Sequence, residues 1–580
     1  MSYTSLWSKI QEELKNRNLL FRIECENASY LRIGGYNARP YSITLGIHEG
    51  IRPSKIKGYL RWWSRVLELS VNPDLMDYKM ADKKVGKYLG SEEKKFGQSK
   101  FFINVRYEVK DEAKRFGEEI EKLISDYTNA LIRFKENFEK SDFFKENNIN
   151  IEIDFNPARL SIKFNSKKKN DIQNLKEKLI EYTKNEIVKL SNNNIDVKEK
   201  EKHESKIDVK EKKKRESKDA LKVDLKLNSN IYAPLVNLIE ISRINLILMQ
   251  RRGEKTEDYI RRLKEELQLF PPYTVKIIIE VFISPTFTPT KTINRTNINN
   301  NTSKKDHIKR IITEIGIDIL KSVLAGPILA LLFTGLSAFS SRGFAGVKIV
   351  SISVSEELKD SLGDGYNIIN GLLEAKNKED LNECIKNLIK WLGTQKYSNI
   401  PEVPALDSNY KFFKFKVFEI LKNKKNDLEI LKIINKSVMK STWKEIDKKR
   451  QDFPGSEYHT WILGLPRSQR GTGYIVKING KEDLSFRRKS AIGINIFENK
   501  HRKFIIIHGF ISNDWPVFKQ VDNKKFRLVH SSKVHSSKVS DVLDILGVKS
   551  NEDAVREAFN NAFCYVKEYV GEKLQELTES

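Results

Sequence analysis

The chain has 580 residues, with 104 Lys or Arg against 78 Asp or Glu, a net charge of +26. That length suits about two or three domains with a sizeable core, and the surplus favours a polyanionic partner. No apolar run of transmembrane length and no signal peptide stand out, so the sequence predicts a cytoplasmic protein whose partner is nucleic acid rather than a membrane.

Residues 3 to 18 read as a short amphipathic helix. Residues 20 to 34 read as a strand ending in a turn at Gly34 and Gly35. A polar loop follows to residue 50, and then comes IRPSKIKGYLRWWSR, Ile51 to Arg65. Arg52, Lys55, Lys57, Arg61 and Arg65 give this stretch five cations and no acid. On a helix started by Pro53, Ile56, Leu60, Trp63 and Leu67 form one apolar stripe. Ser54, Gly58, Arg61 and Arg65 share another face, where a polyanion backbone can approach at Gly58 and be held by arginines. The plain alternative is an amphipathic helix with a solvated basic face. Trp63 reads as core, and Trp62 as a ring for stacking on a base or on a neighbouring domain.

A second strand is expected at 100 to 109, and charged helices at about 111 to 140 and 168 to 190. Residues 195 to 218 repeat twelve residues in tandem, IDVKEKEKHESK then IDVKEKKKRESK. The repeat looks made for nucleic acid, but it carries ten cations and seven acids, a net of only +3. Almost without apolar residues, it reads as a mobile loop or solvated helix. A smaller repeat, VHSSKVHSSK at 529 to 538, reads as a surface loop. Helices are expected at 231 to 268, a buried strand at 273 to 283, a polar loop at 285 to 306, and one long helix at 307 to 333. The strand VKIVSISV follows. Residues 365 to 450 read as mostly helical. A second basic region holds seven cations and two acids between Pro466 and Lys489. The strand at 502 to 511 and a helix from Asn551 to about Leu577 close the chain.

The first half thus runs strand, helix, strand, strand, helix, strand, the βαββαβ order of a ferredoxin-like fold. The expected fold class is α+β. A first ferredoxin-like domain spans 1–355, interrupted by a mostly helical insertion at about 110–270. A second, helix-rich α+β domain, also ferredoxin-like, spans 356–580.

Three stretches resemble the RAMP superfamily, the RNA-binding ferredoxin-like proteins of CRISPR effector complexes. They are IRPSKIKGYLRWWSR, then SSRGFAGVKI at 340 to 349, then ILGLPR at 462 to 467 with FRRKSAIGINI after it. Together they cover well under a third of the chain. The first resembles the signature helix of the RAMP subunit found in the type III-B (Cmr) complex. The second is similar to the family's glycine-rich loop, but Gly335, Leu336, Ser337, Ala338 and Phe339 precede it where the family usually has several glycines. The resemblance implies a subunit at the 3′ end of the guide RNA (crRNA), contacting target RNA and other RAMP subunits. It adds Gly58, Trp62, Ser340, Ser341, Arg342, Gly343, Phe344, Arg467, Arg470, Arg487 and Arg488 to the five cations as expected RNA contacts. Arg487 and Arg488 are adjacent, so on a strand they point to opposite faces. Phe344 reads rather more as a core residue at a strand end than as a stacking ring.

Some RAMP relatives cut RNA with a histidine base. His48, just before the basic helix, is the candidate here, but no Tyr, Lys or second His accompanies it in a recognisable arrangement. His307, His459 and His508 read as ordinary surface or hydrogen-bonded histidines. The eight histidines form no HExxH cluster, and Cys25, Cys384 and Cys564 form no CxxC pair. No metal, cofactor or small-molecule substrate is expected. The expectation is a non-catalytic RNA-binding subunit of antiviral defence. The alternatives are a metal-independent endoribonuclease that matures guide RNA, or a basic scaffold that docks protein.

Overall fold

A computed structural model of the chain describes residues 19–29, 33–34, 40–41, 53–73, 78–91, 97–109, 140, 150–156, 159–165, 220–225, 275–284, 304–336, 342–343, 346–420, 427–439, 443, 456–465, 467–469, 472–483, 486, 488–521, 523–531 and 539–579. The chain divides into two compact units, residues 1–113 with 271–580, and residues 114–270.

In the first unit, strand β1 (Leu19–Asn27) leads to helix α1 (Pro53–Val71), helix α2 (Tyr78–Leu89) and strand β2 (Phe101–Val109). After the 114–270 unit come strand β3 (Val275–Ile283), helices α3 (Lys304–Ile315) and α4 (Ile317–Leu329), and strand β4 (Val347–Val354). Strands β5 (Phe413–Ile420), β6 (Ile492–Glu498) and β7 (Lys503–Phe510) follow, and the long helix α5 (Asn551–Glu579) ends the chain. All seven strands form one sheet in the order β5-β7-β6-β4-β1-β3-β2. Every pairing is antiparallel except β4 with β6, which is parallel through Val347–Phe497 and Lys348–Glu498.

The strands of residues 1–355 lie side by side as β4-β1-β3-β2, joined in the chain order strand, helix, strand, strand, helix, strand. The sheet does not stop at residue 355, where the sequence suggests a domain boundary. Strands β6 and β7 are buried along nearly their whole length and need a neighbour on each side. Strand β4 supplies one and β5 the other. The strand β5, FKFKVFEI, lies in a region read as helical, although Phe413, Lys414, Phe415, Lys416 and Val417 alternate as a strand does. A second sheet runs through Arg467–Gln469, Thr472–Ile478, Lys524–Ser531 and Phe518–Val521, so part of the VHSSK repeat is strand.

The long helix expected at 307 to 333 is two helices, because Gly316 between them has φ 88°. Helix α4 carries Pro327 and passes into a π-helical turn, Ala330–Thr334. Two carbonyls of that turn, Leu331 and Leu332, accept from the buried Asn495 amide at 2.8 and 2.9 Å. Contrary to the sequence reading, one described segment, Ile317–Thr334, is long and apolar enough to cross a membrane. Leu324, Ile328 and Leu332 have no exposed surface and belong to the central core, which places this segment as a core helix.

In the second unit, the described residues include Asn150–Asn156, Arg159–Asn165 and Ala220–Leu225, an antiparallel three-stranded sheet. The alternation of NIEIDFN and RLSIKFN on either side of an Asn-Pro pair in the sequence signals this hairpin, which the expectation of a mostly helical insertion overlooks. The helices expected at 111–140, 168–190 and 231–268 lie outside the described residues, but for the helical Lys140. So does the repeat at 195–218.

Candidate functional site

Helix α1 begins at Pro53, whose missing N–H costs nothing in a first turn. Its predicted stripe is the buried one: Ile56, Leu60, Trp63 and Leu67 are all at most 2% exposed. Helix α4 approaches this stripe closely at Gly326, where a Cβ would sit 2.6 Å from the Leu60 side chain. Trp63 joins Phe333 of the π-turn at 5.7 Å and Phe510 of β7 at 6.1 Å between ring centres. Phe413 of β5 completes the cluster, 4.9 Å from Phe510. The end of α1 is fixed from outside as well. The Tyr397 hydroxyl donates to the Leu69 carbonyl at 2.5 Å, and the Gln395 N–H donates to the Ser70 carbonyl at 2.8 Å.

With one face buried, the other is presented in a set orientation. Ser54 and Gly58 are exposed, and nothing lies within 4 Å of a Cβ built at Gly58. The first turn of α1 contains no acid. Its N–H groups and the helix dipole add to the charge of Lys55 and Lys57, so positive potential concentrates there. Burial lowers Lys55 from the ordinary lysine value to about 8. Burial also lowers Lys57, with the neighbouring Arg61 adding to the effect.

Arg61 and Arg65 have partners on α2. Arg65 donates from Nε and Nη2 to Asp82 Oδ1 at 2.8 and 2.6 Å. Arg61 reaches the same oxygen at 3.4 Å, and its Nη2 caps the end of α2 through the carbonyls of Leu89, at 3.3 Å, and Gly90. Asp82 and the cations of α2 lie in a stretch to which the sequence reading gives no element. The signal is present all the same: YKMADKKVGKYL holds four lysines and a single acid. Across α1 and α2 there are eight Lys or Arg and two acids. Lys55, Lys57, Lys79 and Lys83 have no acidic partner among the described residues.

Trp62 is half-buried, its ring meeting Trp63 and Phe510 edge to face at 4.8 and 5.9 Å. It lines an open hollow of about 350 Å³ with Arg65, Tyr78, Lys79 and Asp82. Part of the second basic region borders the same place. The two pieces of the third motif pair through Leu465 and Arg488. Arg488 bonds Asp514 at 2.8 Å and stacks over the Trp515 ring at 4.7 Å. Burial pushes Tyr78 up to about 12, reinforced by Asp514, while Arg488 and Arg65 pull it down, so Tyr78 senses both basic regions.

The glycine-rich stretch is tied to the sheet. Arg342 bridges to Ile494, Gly343 has φ 79°, and Ser29 bonds both the Gly343 carbonyl (2.6 Å) and the Gly346 N–H (2.8 Å). A Cβ at Gly346 would lie 2.2 Å from the Ile496 carbonyl oxygen, so glycine serves strand packing there. Arg467 has its backbone in a strand. His48, Arg52, Ser340, Ser341, Phe344, Arg470 and Arg487 lie outside the described residues.

His508 is not a surface or hydrogen-bonded histidine. It is buried among Phe333 and Phe510, its Nδ1 has no hydrogen-bond partner, and burial lowers it to about 3. His459 meets Asn561 at 3.2 Å. The described residues contain no cluster of His, Cys, Asp and Glu able to hold a metal ion.

No protein-family model and no curated protein matches the chain. Among solved structures, it is similar to a chain in a cryo-EM structure of the Type III-B Cmr-beta bound to cognate target RNA. The identity is 13% and the TM-score 0.44, over 95% of this chain and 100% of that one. A second such structure, with AMPPnP and ssDNA, gives 14% and 0.42 over 96% and 100%. Apo Cmr1 from Pyrococcus furiosus gives 14% and 0.35 over 90% and 94%.

Two outcomes follow for binding to a single-stranded oligonucleotide, measured by fluorescence anisotropy. Asp82→Asn removes the acid that two arginines share, so the affinity of an abasic oligomer, which offers phosphates alone, rises about fivefold, on the scale of one exposed ion pair. Lys55 titrates near pH 8 in the folded chain but near 10.4 when unfolded. Folding thus releases its proton between those values, and stability gains from this group as pH rises through that window. A bound anion favours the charged form, so affinity falls as pH rises through about 8. In Lys55→Arg the fall across that range disappears.

Proposed function

We propose that this chain is an RNA-binding subunit of a type III-B CRISPR effector complex that holds RNA through its phosphates and does not cut it. The observation that carries the reading is the α1–α2 pair. Four lysines without acidic partners among the described residues lie on these two helices, which also carry an open backbone position at Gly58 and a half-buried tryptophan. A helix that needs only solubility gains nothing from gathering cations at its N-terminal end, against its own dipole. An anion there turns that cost into binding energy. The strand order β4-β1-β3-β2 supports a ferredoxin-like first domain, with α1 as its first helix. The RAMP motif on α1 narrows the polyanion to RNA, and the resemblance gives the finer assignment. The subunit caps the crRNA 3′ end and contacts target RNA beside another RAMP subunit.

Phosphate contacts carry no sequence information, so binding is sequence-tolerant and salt-dependent. The triple variant Lys57→Ala, Lys79→Ala, Lys83→Ala tests this, since all three side chains leave the core untouched. The slope of log affinity against log salt becomes shallower by about 2, at roughly 0.7 per phosphate contact on a single strand. An unchanged slope contradicts the reading. Site-specific cleavage of repeat RNA by the pure protein, abolished by His48→Ala, contradicts it too and supports the endoribonuclease.

A further inference from the structure

The hollow between α1 and α2 has a charge distribution that a phosphate does not fit. Its lining combines two aromatic rings, Trp62 and Tyr78, with the Asp82 carboxylate and the cations Arg65 and Lys79. A phosphate inside would meet that carboxylate, and the nearest guanidinium is already bonded to it through two nitrogens. A nucleobase is neutral, presents a flat face to an indole, and carries N–H groups that a carboxylate accepts.

We propose that this hollow takes one unstacked base of a single-stranded RNA, resting on the Trp62 ring, with the adjoining phosphate at Lys79. The proposal rests on the RNA-binding reading and adds to it a site for a base. Trp62 suits the role because its position is fixed before any ligand arrives. Trp63 lies at 89° to it and Phe510 at 78°, so two rings hold its plane. Ordering the side chain then costs little on binding. The volume, about 350 Å³, is at the small end of ligand sites and suits a single nucleotide rather than a run of stacked bases. Tyr78, its hydroxyl protonated at neutral pH, adds a hydrogen-bond donor to the lining. The hollow reads no particular base, since every base has a face to stack.

The test compares an oligouridylate of about ten nucleotides with an abasic oligomer of the same length, which keeps the phosphates and lacks every base. Trp62→Leu preserves apolar packing against Phe510 and removes the stacking surface. It weakens oligouridylate about tenfold, on the scale of one base–aromatic stack, and the abasic oligomer less than twofold. Tyr78→Leu gives the same selectivity and decides the matter if Trp62→Leu lowers the melting temperature. Equal losses on both ligands, or no loss on either, overturn the hollow as a base site. If the lysine triple variant still loses affinity for both ligands in that case, the RNA-binding reading stands alone. If the unaltered protein binds neither ligand, both readings fall together.

Discussion

Trp63 has no exposed surface, and the orientation of the basic face follows from its burial. Its ring sits among Phe333, Phe510 and the neighbouring Trp62, contributed by the π-turn, by β7 and by α1 itself. Removing a buried tryptophan typically costs about 3–5 kcal/mol, so α1 cannot roll about its axis without losing a large part of the stability of its surroundings. A helix fixed in this way presents Gly58, Lys57 and Arg61 in one direction. The tryptophan next door, displaced by one residue, is half in the core and half at the surface. The pair divides the work between anchoring the helix and facing outwards.

The cations divide as well. Arg61 and Arg65 spend their donors on Asp82 and on the carbonyl end of α2, so they join two helices before they meet any ligand. Arg488 is similarly engaged with Asp514 and Trp515. On α1 and α2, the charge left without acidic partners among the described residues sits on Lys55, Lys57, Lys79 and Lys83. This arrangement fits a compact, hydrated ammonium that tolerates many phosphate geometries, while the planar guanidiniums build the frame. Asp82 has two effects: it orders the arginines and it lowers the field that a polyanion meets.

The period of α1 was fully legible. Its stripe of Ile56, Leu60, Trp63 and Leu67 is the buried face, because a 3.6-residue repeat is a local property. Strands β1 to β4 were legible for the same reason, as were β7 and the last helix. Less visible were features that depend on distant partners. The β4–β6 pairing joins residues about 150 positions apart through two register pairs, and nothing local to either strand announces it. Strand β5 and the 150–165 hairpin alternate plainly and were overlooked inside stretches read as helical. The role of Asp82 was hidden as well, since a lone acid among lysines gains meaning only when α2 folds back on α1. His508 misled in the opposite direction, because a histidine in FIIIHGF takes its character from the aromatic rings that close over it.

The central claim is that the α1–α2 pair, rather than the lysine-rich repeat, meets RNA. Photocrosslinking tests it most directly, with a single-stranded RNA carrying a photoreactive base at one position at a time and the attached peptides identified by mass spectrometry. The account places the crosslinks in residues 52–65 and 78–89. Crosslinks confined to residues 195–218, with none on either helix, would contradict it.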